Sequence, residues 1–218
     1  MSTPLRVILF ARPLVQGTVK TRLEPALGAE GALHLYAALL RYVVSVCQEA
    51  KLGSLTLAYA GDGPGAALVA LGEAHGARLV SQGPGDLGDR MARALGEALE
   101  AGVWPVLLGT DLAGLKPSHL TAAAAALRAG DDYAFAPADD GGYGVIAARR
   151  LDPELFTTMP WSTASVMNET AGRLAELGRV WTRLPSLYDI DGPEDLPRLE
   201  DHPVLGPALA AVSHVSSS

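Results

Sequence analysis

The apolar run at residues 106–108 constrains the fold more than any other stretch of the chain. It is Val-Leu-Leu, followed at once by Gly109, and the carboxylate of Asp111 comes two residues later. A short continuous apolar run that ends at a glycine is typical of a strand buried on both faces, as in a parallel sheet between helices. Ligands of open α/β sheets bind beyond the carboxyl ends of the strands. This run therefore predicts an α/β fold with Asp111 near a ligand.

Strand-like and helix-like segments alternate along the rest of the chain. Strands are predicted at residues 5–10, 55–60, 78–82, 103–109, 132–137 and 179–184. Helices are predicted at residues 29–51, between 64 and 75, and at 91–100, 117–128 and 160–177. This alternation is typical of a mostly parallel central sheet flanked by helices. We expect one domain over residues 1–205 and a flexible tail over residues 206–218.

Composition excludes several classes of protein. The net charge of −7 argues against a general nucleic-acid binder but leaves a nucleotide ligand open. The single cysteine, Cys47, excludes an internal disulfide and is expected to be a buried small hydrophobe. No apolar stretch approaches the roughly 20 residues of a membrane span. The apolar run at residues 5–10 is too short for a signal peptide, so we expect a cytoplasmic protein.

The loop after the first predicted strand carries only cationic charges. Residues 11–23 show no helical period, and their charged members are Arg12, Lys20 and Arg22. Long loops that directly follow a strand are usually functional, and Arg and Lys side chains bind phosphate oxygens. The loop therefore predicts a phosphate-binding site, although a solvated basic loop has the same composition. It is not a Walker loop, because the Gly-Lys-Ser/Thr spacing is missing.

Residues 83–88 fit the pattern G-x-G-x-x-G but do not predict a dinucleotide site. That site requires an acidic residue about 20 positions later, where this chain has the apolar run around Leu107. The turn can still let the main chain approach a base or ribose. Gln82 could then read a base edge through its amide, or it could simply be a polar residue at a strand end. Asp86 or Asp89 can cap the next helix.

Carboxylates and an aromatic residue mark the second half of the chain. Residues 139–142 are Asp-Asp-Gly-Gly after a predicted strand, which suits a hairpin turn or a functional loop. Asp189 and Asp191 point the same way on an extended segment, as two ligands of one ion would. Trp161 is a hydrophobic staple or a wall of an acceptor pocket, and Ser162 or Thr163 is the expected N-cap of the helix that follows.

Several motifs together resemble a bacterial family. They lie at residues 10–13, 17–23, 85–91, 109–111, 140–143, 160–163 and 189–196. In this order they are similar to the DUF2064 family, whose members are described as glycosyltransferase A (GT-A) type or nucleotide-diphospho-sugar transferase-like. The chain is more distantly similar to guanylyltransferases that activate phospholactate or phosphoenolpyruvate, and to molybdenum-cofactor guanylyltransferases.

The resemblance implies a single GT-A domain with the nucleotide half first and the acceptor half second. It implies a nucleotide-activated donor, a small-molecule acceptor and Mg²⁺ or Mn²⁺. The nucleotide would contact Ala11, Arg12, Lys20, Arg22, Gln82, Gly85, Asp86, Leu87 and Gly88. The metal ligands would be Asp111, Asp189 and Asp191. The acceptor would contact Gly141, Gly142, Tyr143, Trp161, Ser162 and Thr163. Asp140 would be the general base, and Lys20 would add catalytic charge.

This sequence departs from the family pattern at two places. Relatives often continue Cys-Pro-Asp after the metal aspartate, whereas residues 112–114 here are Leu-Ala-Gly, so a second carboxylate is missing. Gly144 replaces a tyrosine, which would widen the acceptor pocket. Glycosyl transfer from a nucleotide-sugar is favoured. Nucleotidyl transfer to a small phosphorylated acid and non-catalytic nucleotide binding remain open, as does the choice between monomer and homodimer.

Overall fold

A computed structural model describes residues 3–213 and confirms the predicted α/β class. Seven strands form one sheet in the order β3-β2-β1-β4-β6-β5-β7. Their bounds are β1 Leu5–Ala11, β2 Gly53–Tyr59, β3 Arg78–Ser81, β4 Trp104–Leu108, β5 Tyr133–Pro137, β6 Tyr143–Ala148 and β7 Trp181–Arg183. All neighbouring pairs are parallel except the two that involve β6. The sheet is therefore mostly parallel, as the sequence predicts.

Helices cover both faces of this sheet. They are α1 Glu24–Ala50, α2 Gly65–Ala74, α3 Leu87–Glu100, α4 Pro117–Ala129, α5 Val166–Glu176 and α6 Leu205–Ser213, with 3₁₀ turns at Thr21–Leu23, Pro153–Leu155 and Pro193–Leu199. Val106 and Leu108 of β4 pack with α1 and α4, whereas Leu107 packs with α3 and α5. Side chains of a strand alternate between its faces, so one apolar run builds both halves of the core.

The strand order places a crevice beside β1. The chain leaves β1 toward β2 on one side, and β4 returns to pair with β1 on the other. At such a switch point the loops after the two strands diverge and leave a space outside the carboxyl ends. The basic loop that follows Ala11 and the segment that carries Asp111 therefore face each other.

Two helix starts and one unpredicted strand differ from the predictions. Helix α1 begins at Glu24 and kinks at Gly28, whose φ of 70° lies in the left-handed region. Strand β6 was not predicted, because its first residues are Tyr-Gly after a glycine pair. Helix α5 begins at Val166 with Ser165 at the N-cap position, so the expected capping by Ser162 or Thr163 is wrong. Ser162 is itself left-handed, with φ of 64°.

The expectation of a flexible tail is wrong for residues 206–213, which lie in α6. Leu205, Leu209 and Val212 are buried in a cluster that includes Leu35 and Leu39 of α1. Their spacing of four and three residues places them on one face of the helix. Residues 214–218 lie outside the described part of the chain.

Two further observations concern the environment of Cys47 and the length of the helices. Cys47 is buried in the core on α1, and burial raises the pKa of its thiol to about 12. Within residues 3–213, no helix combines the length and apolar character needed to cross a membrane.

Candidate functional site

A cavity of about 780 Å³ opens at the carboxyl ends of β1 and β4. The basic loop lines one side of it. The tip of the β5–β6 hairpin and the segment around residues 189–198 line the other. Eleven of the predicted site residues lie on its walls: Ala11, Arg12, Lys20, Arg22, Gln82, Leu87, Asp111, Asp140, Ser162, Asp189 and Asp191. The structure therefore brings most of the predicted nucleotide and metal residues to one space.

The main chain of Arg12 is fixed by a residue that the sequence analysis did not single out. The backbone N–H of Arg12 donates to Oη of Tyr36 at 2.8 Å, and the same hydroxyl donates to the Arg12 carbonyl at 3.1 Å. Tyr36 is buried on α1, and burial raises the pKa of its hydroxyl. Tyr36 thus holds the start of the basic loop, while the Arg12 side chain remains exposed to a ligand.

Lys20 lies between two of the predicted metal ligands. Its Nζ is 2.7 Å from Oδ1 of Asp191 and 3.0 Å from Oδ2 of Asp111. Only 6% of the Lys20 side chain is exposed, against 37% for Asp111 and 49% for Asp191. Burial lowers the lysine pKa, but the two carboxylates outweigh that effect and leave the pKa raised. Lys20 is therefore a fixed positive charge at neutral pH.

Two other carboxylates at the cavity differ in their surroundings: Asp189 has a raised pKa, and Asp195 accepts hydrogen bonds from the main chain. Burial, with the charges of Asp191 and Asp140, raises the pKa of Asp189 to about 6. Asp195 accepts hydrogen bonds at 2.9 Å from the backbone N–H groups of Asp191 and Gly192. It thereby fixes the turn that carries Asp191. Over residues 3–213, no group of three or more His, Cys, Asp and Glu side chains is placed to hold a metal ion.

The predicted base and ribose region is only partly at the cavity. Gln82 lines it, but its side-chain N–H₂ donates to the carbonyls of Ala58 at 2.8 Å and Ala11 at 3.3 Å. Only its side-chain oxygen is left for a ligand. The structure does not place Gly85, Asp86 or Gly88 on the cavity wall. Asp86 is instead the N-cap of α3, in a capping box with Asp89.

A second cavity of about 310 Å³ adjoins the first and shares Asp111, Asp140 and Asp189 with it. Five predicted acceptor residues line this smaller cavity: Gly142, Tyr143, Trp161, Ser162 and Thr163. Asp140 accepts a hydrogen bond at 2.8 Å from the backbone N–H of Gly142, which orients its carboxylate at the junction of the two cavities.

Gly141 is the acceptor residue that the structure places elsewhere. A Cβ atom there would lie 2.3 Å from the carbonyl oxygen of Ala164, and the φ of Gly141 is 89°. Its carbonyl accepts from the backbone N–H of Met167 at 2.9 Å. Gly141 therefore packs the hairpin against the start of α5 and does not line either cavity.

The two departures from the family pattern, at residues 112–114 and at Gly144, lie in contact with each other. A Cβ atom on Gly144 would lie 2.5 Å from Cδ2 of Leu112. The space that a side chain would need at residue 144 is thus filled by the leucine after Asp111, so the expected widening of the acceptor pocket is wrong. Gly114 is likewise in close contact with the ring of Tyr188.

Two further residues of the larger cavity were missed by sequence reasoning. Arg90 of α3 lines it and donates to the carbonyl of Gly85 at 2.9 Å. Arg198 lines it as well, lies 2.6 Å from Asp139 and stacks over the ring of Tyr188. Arg90 lies within the motif at residues 85–91, but neither arginine was assigned to the site, because an arginine is also expected on the solvated face of a helix.

Solved structures share this architecture. A protein of Desulfovibrio desulfuricans G20, named provisionally as a nucleotide-diphospho-sugar transferase, has a TM-score of 0.85 at 24% identity and covers 98% of each chain. Glucosyl-3-phosphoglycerate synthase of Mycobacterium tuberculosis, solved with Mn²⁺ and UDP, has a TM-score of 0.51 at 16% identity and covers 98% of this chain and 81% of its own. CMP:2-keto-3-deoxy-manno-octonic acid synthetase, solved with CTP, has a TM-score of 0.53 at 12% identity and covers 90% and 96%.

These similarities confirm the predicted GT-A type of fold. A comparison with functionally curated proteins gave no match. One family model, described as an uncharacterized protein conserved in bacteria, matches residues 43–163, which is more than half of the chain. The match includes the strand that leads to Asp111 and the hairpin that carries Asp140. The chain therefore belongs to the DUF2064 family.

Proposed function

We propose that the protein is a metal-dependent transferase that transfers a glycosyl group from a nucleotide-sugar to a small acceptor. The observation that supports this most is the combination of cations and carboxylates in one cavity. Arg12, Lys20 and Arg22 line it together with Asp111 and Asp191, and Lys20 lies between those two carboxylates. Such an arrangement suits a diphosphate, whose oxygens are bound by cationic side chains and by a metal ion that carboxylates hold.

The carboxylates fit a divalent ion that arrives with the nucleotide. Asp111 and Asp191 already converge on a single cation, the ammonium group of Lys20. Mg²⁺ is commonly bound by one or two carboxylates together with water and substrate phosphates. Asp111 and Asp191 would hold the ion, with Asp189 beside them. The bound ion would neutralise charge on the leaving diphosphate.

The protein's own side chains would act on both reactants. Arg12 and Arg22 are exposed on the basic loop and would bind the diphosphate as its negative charge develops. Asp140, at the junction of the two cavities, would accept the proton of the acceptor hydroxyl. The relatives solved with UDP and Mn²⁺ and with CTP support a nucleotide ligand for this fold.

Nucleotidyl transfer is the second candidate. Three cations on one loop suit a triphosphate as well as a diphosphate. The similarity to the CTP-bound synthetase is comparable to that of the UDP-bound glucosyl synthase, with TM-scores of 0.53 and 0.51. In this reaction an ionised acceptor attacks the α-phosphorus and pyrophosphate leaves, so Asp140 would not be needed as a base.

Thermal-shift titration tests the proposal. The protein is titrated with nucleoside triphosphates and with sugar nucleotides, each with and without Mg²⁺ or Mn²⁺. A ligand at 100 times its Kd stabilises the native state by about 2.7 kcal/mol. For a chain of this size, that corresponds to a rise in Tm of about 5–10 °C. We expect the largest metal-dependent rise with a sugar nucleotide.

Variants make the titration specific for the site. D111N should lose the metal-dependent part of the shift, whereas D62N, an exposed aspartate in the turn after β2, should keep it. A larger shift with a triphosphate would favour nucleotidyl transfer. A shift without any release of diphosphate or pyrophosphate across an acceptor panel would favour a non-catalytic binder. An unchanged shift in D111N would overturn the metal assignment.

A further inference from the structure

We infer that the acceptor is a compact, largely apolar alcohol that carries a second oxygen atom, and that it binds in the 310 Å³ cavity with that oxygen at Tyr143. The inference rests on the proposed glycosyl transfer and names the class of its acceptor. It depends on three properties of the smaller cavity: its apolar walls, its exposed entrance and a buried hydroxyl without a partner.

The inner walls of the smaller cavity are aliphatic. They come from β4 and β6, from the segment after β4 and from the helices α3 and α5. Its aliphatic wall residues include Met91, Leu107, Leu108, Leu112, Ile146 and Val166. Hydroxyls of a polyol that lay against these side chains, away from the carboxylates and the hydroxyls of Ser162 and Thr163, would lose their hydration without gaining partners. An apolar skeleton would instead gain from leaving water.

The entrance is also apolar on one side. Leu87, the first residue of α3, lines both cavities and is 43% exposed. Phe10 lines both cavities as well. The carboxylates of Asp140 and Asp189 line the same cavity. A bound molecule would therefore place its reacting hydroxyl at these carboxylates and its skeleton against Leu87 and Phe10.

Tyr143 lines the smaller cavity and carries a buried hydroxyl. Its Oη is buried and has no hydrogen-bond partner among the residues that the structure describes. The ring packs edge-on against Phe135 at 5.0 Å and against Trp161 at 6.4 Å between centroids. Burial raises the pKa of this hydroxyl, so it remains a protonated donor at neutral pH. A buried donor normally has an acceptor, and an oxygen of the ligand would provide it.

Trp161 carries the other unpartnered buried donor of this region, but its position does not suit a ligand contact. Its Nε1 would lie 2.9 Å from a Cβ atom on Gly88, so α3 crowds that side of the indole. We therefore assign the ligand oxygen to Tyr143 alone. The indole of Trp161 serves as a wall of the cavity and, through its N–H group, as a reporter of binding.

The transfer step balances with this acceptor. The acceptor oxygen forms a bond to the anomeric carbon of the donor, and the bond from that carbon to the diphosphate breaks. The electron pair of the broken bond leaves with the nucleoside diphosphate. The proton of the acceptor hydroxyl passes to the carboxylate of Asp140, which releases it to water after the product leaves.

The test uses 4-hydroxybenzyl alcohol as a probe and glucose as a polar molecule of similar size. In protein labelled with ¹⁵N at tryptophan, Trp104, Trp161 and Trp181 give three indole N–H signals, and W161F identifies the one from Trp161. We expect 4-hydroxybenzyl alcohol to shift the Trp161 signal in a saturable way, with little effect on the other two. Glucose should leave all three unchanged at the same concentration.

Variants and a third probe test the hydroxyl contact. Y143F should weaken binding of 4-hydroxybenzyl alcohol about fivefold, as expected for the loss of one hydrogen bond. Y59F, which changes a tyrosine at the end of β2 that lines neither cavity, should have no effect. In the unmodified protein, toluene should bind more weakly than 4-hydroxybenzyl alcohol because it has no oxygen. If Y143F does not fold, the comparison of toluene with 4-hydroxybenzyl alcohol still tests whether a ligand oxygen contributes to binding.

Three results would overturn the inference: tighter binding of glucose, no shift of the Trp161 signal with the alcohol, or equal binding of the alcohol and toluene. Sugar-nucleotide binding is measured separately by thermal shift. Normal sugar-nucleotide binding without alcohol binding would reject only the acceptor class. Alcohol binding without any nucleotide binding would reject the proposed function and leave the apolar ligand site in place.

Discussion

The ammonium group of Lys20 lies 2.7 Å from Oδ1 of Asp191, a residue 171 positions away in the sequence. This contact joins the basic loop after β1 to the segment before the last 3₁₀ turn, and both residues line the larger cavity. It also places a positive charge where Asp111 and Asp191 converge. A divalent ion held by the same two carboxylates would therefore have to displace the lysine, which could then turn to the phosphates.

Replacing Lys20 should separate metal binding from nucleotide binding. In K20Q, Mn²⁺ alone should bind at least fivefold more tightly, because removing a unit charge at this range is worth about 1 kcal/mol even in water. The Kd for UDP should rise instead, since a phosphate-binding cation is lost. Calorimetric titration with each ligand measures both effects.

K51Q is the matched control for this experiment. Lys51 is exposed at the end of α1 and, like Lys20, has a φ of 50°. Both variants therefore place glutamine in the same left-handed conformation. Equal Mn²⁺ affinity in K20Q and the unmodified protein would show that the lysine does not compete with the ion.

The Tyr36 hydroxyl should matter for phosphate binding although it is buried on a helix. Y36F removes both hydrogen bonds to the main chain of Arg12 and leaves its part-buried N–H without this acceptor. Such a loss costs about 1–3 kcal/mol. We expect a lower Tm and a UDP affinity that falls severalfold, because the loop is no longer held in its binding conformation.

The control for Tyr36 is Y59F, which removes a tyrosine hydroxyl outside both cavities. Its UDP affinity should match that of the unmodified protein. If Y36F loses stability but binds UDP normally, the hydroxyl supports the fold alone and does not preorganise Arg12.

Gly141 should tolerate alanine poorly, and Gly172 should accept it. In G141A, the new Cβ would lie 2.3 Å from the Ala164 carbonyl oxygen at a φ of 89°, so the hairpin that carries Asp140 must shift. Positive-φ strain alone is worth about 1 kcal/mol or more. Gly172 lies in α5 with nothing near its Cβ position, and G172A should stabilise the protein by about 1 kcal/mol. Urea unfolding measures both changes, and equal stability of the two variants would contradict the packing role of Gly141.

Sequence patterns predicted the parts of the site that local chemistry determines. The apolar runs of β1 and β4 and the polar residues after them indicated the edge of the sheet where the cavity lies. Contacts between distant residues had no local signal: nothing in the sequence pairs Lys20 with Asp191, and the Tyr36 hydroxyl is hidden in the apolar period of α1. Helix α6 was missed because its spacing of apolar residues gains meaning only when α1 lies beside it.

Competing hydrogen bonds of side-chain hydroxyls explain why the start of α5 was predicted wrongly. Residues 160–163 read as a helix start because Pro-Trp-Ser-Thr offers hydroxyls for capping. In the structure, Thr163 Oγ1 donates to the Pro160 carbonyl at 2.8 Å and closes a turn, so the helix begins three residues later. The same turn leaves Ser162 and Thr163 at the smaller cavity. Two local uses of the same hydroxyls compete, and sequence alone does not show which of them prevails.

A buried ion pair far from the cavities predicts how stability depends on pH. Asp152, which is 5% exposed, accepts from Nε of Arg179 at 2.8 Å and from Oη of the buried Tyr133 at 2.8 Å. Arg150 lies 3.2 Å from the same carboxylate. Burial raises the carboxyl pKa, but these partners outweigh it and hold the pKa below its usual value of 3.8. The carboxylate therefore stabilises the fold above the unfolded-state pKa, and this contribution is lost as the pH falls through the lower folded-state pKa.

D152N tests this ion pair. At pH 7 it should cost about 3 kcal/mol, because cationic partners and the Tyr133 hydroxyl lose the charge that they surround. That corresponds to a fall in Tm of about 6–12 °C. Between about pH 5 and pH 3, the Tm of the unmodified protein should fall more steeply than that of D152N, in which residue 152 cannot titrate. D62N, which alters an exposed aspartate, should follow the unmodified protein at every pH. Parallel Tm curves for D152N and D62N would show that the Asp152 carboxylate does not carry this acid-sensitive stability.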